Sequence, residues 1–123
     1  MSIRSFRDLE AWQLGIEFAV RVYRLTKSFP REELYGLTSP LRRSAVAIPS
    51  HLSEGHQQGT KAYLHYVVIA IGSLAEADTQ LEISNRLCLV QREEIAPVVE
   101  LATKLRRVLH GLRGALARRT ANP

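Results

Sequence analysis

The sequence has 123 residues, 17 Lys+Arg against 12 Asp+Glu for a net charge of +5, 46% hydrophobic residues and one cysteine. A chain of this size supports one hydrophobic core and not two, and Cys88, with no CxxC partner, excludes a disulfide scaffold or a zinc finger. The most apolar run, Tyr66 to Gly72, is far short of the roughly 20 residues of a bilayer span, and the charged start Met1–Asp8 lacks the apolar centre of a signal peptide, so a cytoplasmic protein without a membrane segment is expected.

From Phe6 to Lys27, Leu9, Trp12, Ile16, Ala19 (or Val20), Tyr23 and Thr26 recur at helical steps. Asp8 and Glu10 in the first turn and Arg24 and Lys27 in the last suit the helix dipole, and Ser28-Phe29-Pro30 ends the helix. Gly36 then breaks the chain, and Thr38-Ser39-Pro40 reads as cap residues followed by a first-turn proline. The second helix carries Leu41, Ala45, Ile48 and Leu52, and this unbroken stripe predicts that it kinks at Pro49 and continues to Glu54. Thr60 is placed to cap a long third helix with the stripe Leu64, Val67 (or Val68), Ile71, Leu74, Asp78, Leu81 and Asn85, ending near Cys88 as a buried thiol. The fourth, with Pro97 near its start, carries Val98, Ala102, Leu105, Leu109, Leu112 and Leu116, and residues 120–123 are expected to fray.

No segment has the period-two alternation of a strand, and no Gly-rich phosphate loop is present. Four amphipathic helices with short connections predict an all-α fold: one domain over residues 1–123, an antiparallel up-and-down four-helix bundle with helices at about 6–27, 39–54, 60–88 and 94–119.

Leu9-Glu10-Ala11-Trp12-Gln13, Phe29-Pro30 with Glu33, Tyr35-Gly36-Leu37, Leu41-Arg42-Arg43, Ile48-Pro49-Ser50-His51-Leu52-Ser53-Glu54-Gly55, and Ala70-Ile71-Gly72-Ser73 with Glu76 follow one another in order over residues 6–90. In these residues the chain resembles the four-helix-bundle proteins named after the intervening sequences of bacterial 23S ribosomal RNA. It departs from their usual pattern at Pro40, His51 and Ser53. The resemblance implies a helical bundle assembled as a homopentamer, without enzymatic activity. A related branch, the accessory proteins of diversity-generating retroelements, implies a basic pentamer that engages a reverse transcriptase and nucleic acid.

The positive charge is uneven. Residues 101–123 hold Lys104, Arg106, Arg107, Arg113, Arg118 and Arg119 and no acid, whereas residues 1–100 hold eleven positives and twelve acids. Lys104, Arg107 and Arg118 cluster away from the leucine stripe, with Arg106 and Arg113 on a second flank, a pattern that can neutralise phosphates. A solvated face whose cations suit the helix C-terminus is the structural alternative. Arg42 and Arg43 point about 100° apart. Arg42 joins the candidate nucleic-acid contacts, and Arg43 is a candidate for an ion pair with Glu54 or Glu76 that fixes helix register.

Tyr63, Tyr66 and Ile69 widen the apolar surface of the third helix beyond its stripe and are candidate contacts between subunits, so self-association is expected. His51, Glu54, His56 and His65 do not reproduce the two Glu-x-x-His pairs of a di-iron bundle, so they read as loop and capping residues and no metal or cofactor is expected. No nucleophile motif or paired carboxylate points to catalysis. The expected partners are a second copy of the chain and RNA or a nucleic-acid enzyme, with a protein-interaction module that binds no nucleic acid as the alternative.

Overall fold

The computed structural model describes residues 5–121. The charged start Met1–Arg4, the expected fraying of residues 122 and 123, and the side chain of Asp8 lie outside the described residues. Four helices account for most of the chain: α1 Glu10–Thr26, α2 Ser39–His56, α3 Thr60–Arg86 and α4 Arg92–Ala121, with no strand among the described residues. A single 3₁₀ turn at Phe6–Asp8 precedes α1. Between α1 and α2 the chain makes a 3₁₀ turn at Arg31–Glu33 and a wide π-type turn at Leu34–Thr38 that runs straight into α2.

Each helix packs on two others: α1 on α2 and α4, and α3 on α2 and α4. Short connections make consecutive helices antiparallel, and the end of α1 (Arg21, Arg24, Leu25) lies beside the start of α4 (Glu94, Pro97, Val98). This is the packing of an up-and-down four-helix bundle. Its core is built on Phe18, Ile48, Leu52, Leu74, Leu105 and Leu109, all essentially inaccessible. At roughly 1.5–3 kcal/mol per fully buried large aliphatic or aromatic side chain, this stripe-on-stripe burial is the main favourable term holding the helices together.

The stripes expected for α2 and α4 are the buried ones: Leu41, Ala45, Ile48 and Leu52 on α2, and Val98, Ala102, Leu105, Leu109 and Leu116 on α4, with Leu112 partly buried. Those for α1 and α3 are corrected. In α1 the expected Ala19 and Thr26 are buried, but the core face is completed by Ala11, Leu14, Phe18, Val22 and Leu25, while Trp12 and Ile16 lie on its margin and Tyr23 and Val20 are exposed. In α3 the expected Val67, Leu74 and Leu81 are buried, but Tyr63, Ala70, Ala77 and Ser84 take the places of Leu64, Ile71, Asp78 and Asn85. Both helices are apolar on two flanks, and the flank rich in small residues permits the closer approach.

α2 runs unbroken across Pro49 to His56. Pro49 is buried, and Gly15 makes room for it: a Cβ on Gly15 would stand 3.4 Å from the Pro49 ring. Gly55 is a tighter key, because a Cβ there would fall 2.6 Å from Cβ of Tyr66. The backbones of α2 and α3 therefore meet at a distance that only glycine permits.

The expected caps are also corrected. Thr38 is a buried residue of the continuing helical turn with no capping hydrogen bond, and Gly59 (φ 104°), not Thr60, precedes α3. α3 stops at Arg86. Cys88 takes φ 56°, its N–H donates to Asn85 O (3.0 Å) and the Leu89 N–H donates to Ser84 O (3.1 Å), a Schellman ending with cysteine in the left-handed position. The chain leaves the core there, so the Cys88 thiol is exposed rather than buried.

Candidate nucleic-acid interface

α4 buries one face and exposes Lys104, Arg106, Arg107, Arg113, Arg118 and Arg119. At 100° per residue, Arg107 and Arg118 lie opposite the buried stripe with Lys104 beside them, and Arg106 and Arg113 lie on the flank. Arg106 is the member that the fold engages. Its Nη1 donates to Asp78 Oδ2 on α3 at 2.6 Å, and its Nη2 reaches Thr103 Oγ1 at 3.5 Å. Burial pushes the Asp78 carboxyl above its ordinary value, and the charge and hydrogen bond of Arg106 pull it back down. Arg106 thus joins α3 to α4, and the outward cations are Lys104, Arg107, Arg113 and Arg119, with an Arg118 nitrogen standing 3.4 Å from where a Cβ on Gly114 would be.

Of the two adjacent arginines, it is Arg42, expected as a nucleic-acid contact, that the fold engages, and not Arg43, expected in an ion pair. Arg42 Nε donates to Thr26 Oγ1 at 2.7 Å and Nη2 to Tyr23 O at 3.4 Å, and the guanidinium lies over the Tyr23 ring at 4.5 Å. It closes the C-terminal end of α1 with donors, where carbonyls lack helical partners. Arg43 is exposed and forms no ion pair with Glu54 or Glu76 among the described residues. Arg43 and Glu76 line one shallow groove without meeting. Glu54 instead accepts a hydrogen bond from the Tyr66 hydroxyl at 3.1 Å. The phase of α2 against α1 selects which of two adjacent arginines turns inward.

Of Tyr63, Tyr66 and Ile69, Tyr63 belongs to the core rather than to an outer surface. Tyr63 is 6% exposed, its hydroxyl is buried without a hydrogen-bond partner, and burial pushes its phenol up to about 12. Tyr66 and Ile69 are partly covered on the flank toward α2. The histidines belong to the same contact: His51 stacks on Tyr66, His56 meets Tyr63 edge-on, and His65 meets Tyr66 edge-on, with centroids 5.2–5.9 Å apart. No group of three His, Cys, Asp or Glu side chains converges for a metal among the described residues. The outward face of α3 carries Val68, Gly72, Ala75, Thr79 and Ile83 together with the charged Lys61, Glu76, Glu82 and Arg86, all exposed.

A second cationic region escaped the sequence reading. Residues 21–43 hold Arg21, Arg24, Lys27, Arg31, Arg42 and Arg43 against Glu32 and Glu33, six positives to two acids. A count over windows of about twenty residues would have found it. The fold gathers Lys27, Arg31 and Arg42 around one groove of about 380 Å³ at the α1–α2 connection.

The sequence pattern of the family described as 23S rRNA-intervening sequence protein matches residues 7–111. The chain belongs to this family. Among solved structures, a crystal structure of a protein of unknown function from the S23 ribosomal protein family of Bacteroides thetaiotaomicron VPI-5482 superposes with a TM-score of 0.74 at 20% identity, over 84% of this chain and 97% of that one. At that identity the likeness bears on fold alone. No curated protein matches the chain. No helix of this family member, among its described residues, is long and apolar enough to cross a membrane.

Proposed function

We propose that the protein is a non-enzymatic, cytoplasmic bundle that self-associates as a homopentamer and binds RNA, or an enzyme acting on nucleic acid, through the basic face of α4. The observation that carries this reading is the run of Lys104, Arg107, Arg113 and Arg119, exposed on one helix that has no acid after Glu100. A ring of such subunits repeats that charge into a one-signed field that draws in polyanions. The family is named for a ribosomal RNA insertion, which agrees with an RNA ligand.

Self-association is supported by Val68 and Ile83 exposed on α3 and by Val20, Tyr23 and Val46 exposed on α1 and α2, since apolar surface left in water favours a partner. A lone exposed thiol, Cys88, suits a reducing compartment.

Filter binding of the purified protein to structured RNA tests the ligand. Affinity is expected at low salt and is expected to fall steeply by moderate salt, with about one counterion released per phosphate contact. No affinity, or affinity indifferent to salt, would leave a protein-interaction module as the better reading. Light scattering tests the assembly, and a monomeric mass at micromolar concentration would remove it from the proposal.

A further inference from the structure

The α1–α2 connection is unlike α4 in how its charge is made. Lys27 ends α1, Arg31 opens the connection and Arg42 lies on the first turn of α2, and all three line one groove together with Phe29, Pro30 and Leu34. Arg42 also lines the adjoining groove of about 550 Å³, with Tyr23, Arg43 and Val46. Arg42 is fixed through Nε to Thr26, through Nη2 to Tyr23 O and by the Tyr23 ring, which leaves Nη1 to present to a ligand without a rotamer search. Of the two acids here, Glu33 is folded against the backbone of Gly36 and Glu32 is exposed.

Tyr35, 85% exposed in the wide turn, follows Leu34, which lines this groove and is itself 42% exposed. An aromatic ring held outward on a turn, one residue from a groove lined by three cations, has the composition of a stacking platform. A duplex conceals the faces of its bases, whereas a single strand offers them, with its phosphates a few ångströms away.

We propose that this corner is a single-strand nucleic-acid site in which Tyr35 stacks on an unpaired base while Lys27, Arg31 and Arg42 hold the flanking phosphates. It lies near the end of the bundle where α4 begins, away from the basic C-terminal half of α4. The inference borrows the class of ligand from the α4 reading and not its location.

Fluorescence anisotropy of the intact protein with a labelled oligouridylate and with a labelled RNA duplex, at several salt concentrations, tests it. Tyr35→Ala is expected to weaken the single-strand complex by roughly 5- to 150-fold, the range of one base–aromatic stack, and to leave duplex affinity unchanged. Tyr35→Phe is expected to retain it, because stacking needs the ring and not the hydroxyl. Lys27→Glu with Arg31→Glu is expected to flatten the single-strand salt slope by about 1.4, at ~0.7 for each of two phosphates. Since Tyr35 is almost fully solvated, circular dichroism of its variants is expected to match the parent.

Equal single-strand binding by Tyr35→Ala and the parent, or an equal loss on duplex, overturns the corner site. If Lys104→Glu with Arg107→Glu abolishes all binding while Tyr35→Ala changes nothing, the α4 reading stands and the corner falls. The reverse pattern leaves the corner standing and removes α4. A parent protein that binds neither RNA removes both.

Discussion

α2 and α4 both carry arginines at the surface, but the two helices hold them on different terms. α2 is keyed to its neighbours by backbone approach, with Pro49 against Gly15 on one side and Gly55 against Tyr66 on the other, and its Arg42 is bound into the end of α1. α4 meets the bundle through a leucine stripe and a bridge from Arg106 to Asp78, and it leaves Lys104 and Arg107 to solvent. A cation on α2 is therefore part of the fold before it meets a ligand. A cation on the outer face of α4 can change without the bundle noticing. This difference separates stability from binding, and substitutions on the two helices should sort accordingly.

The largest effect should come from Gly55→Ala. Its new methyl would stand 2.6 Å from Cβ of Tyr66, an atom tied to the α3 backbone, so the helices must separate. Overpacking of this kind costs about 2–3 kcal/mol even after alanine's better helix propensity is counted, and thermal melting should show Tm lower by roughly 10 °C. An unchanged Tm would mean that α2 is not keyed there.

Tyr63, which packs edge-on against His56 of α2, gives the same contact a pH signature. Its folded phenol at about 12 lies above the ordinary 10.0, so the folded state holds the proton that the unfolded state releases. The stability from the buried neutral phenol is complete below pH 10 and is lost as pH rises through 12, at about 1.4 kcal/mol per pH unit in that window. Urea melts at pH 8 and pH 11.5 should show this loss in the parent and not in Tyr63→Phe. That variant should also gain about 1 kcal/mol at pH 8, because it removes a buried hydroxyl that has no partner.

The contrast between the two helices was only half legible in the sequence, for reasons seen in particular residues. α2 and α4 each have one apolar arc, so Leu41, Ala45, Ile48 and Leu52, and likewise Val98, Leu105 and Leu109, mark the core face without ambiguity. α1 offers two arcs, through Trp12, Ile16 and Tyr23 or through Leu14, Phe18 and Val22, and hydropathy does not choose between them. In α3 the buried face includes Ala70, Ala77 and Ser84, whose small size matters for helix approach and counts little in an apolar pattern. The basic charge of α4 could be read because six cations follow Glu100 on one helix with no opposing acid. At the corner the excess of cations over residues 21–43 was open to a charge count, but the groove was not, because Lys27, Arg31 and Arg42 lie on separate segments that the fold brings together.

Arg42→Ala should cost about 1–2 kcal/mol, from one charged hydrogen bond to Thr26 and the contact over Tyr23. Thr26 Oγ1 keeps its own hydrogen bond to Val22 O at 2.8 Å, which limits the loss. Arg42→Lys should recover less than half in a chemical melt, since an ammonium cannot both lie flat on the ring and direct Nε to Thr26. Full recovery would show that charge alone matters at the end of α1. On α4, Gly111→Ala should instead raise stability by up to about 1 kcal/mol, because a Cβ there meets nothing within 4 Å and the helix loses a flexible residue. A destabilised Gly111→Ala would mean that this face of α4 is packed in solution.

The smallest change in stability should accompany the sharpest change in binding. Lys104→Glu with Arg107→Glu reverses two exposed charges that touch no core side chain, so the melting midpoint should move by no more than about 0.5 kcal/mol. Filter binding to structured RNA at low salt should weaken by at least about tenfold, and the log–log salt slope should fall by close to 2 as two phosphate contacts are removed. Arg106→Gln is the internal control, because it removes a cation that is already neutralised by Asp78 and should lower stability while changing the slope least. If Arg106→Gln and the double reversal alter the slope equally, the ion pair opens to the ligand and the boundary between structural and binding cations on α4 does not exist.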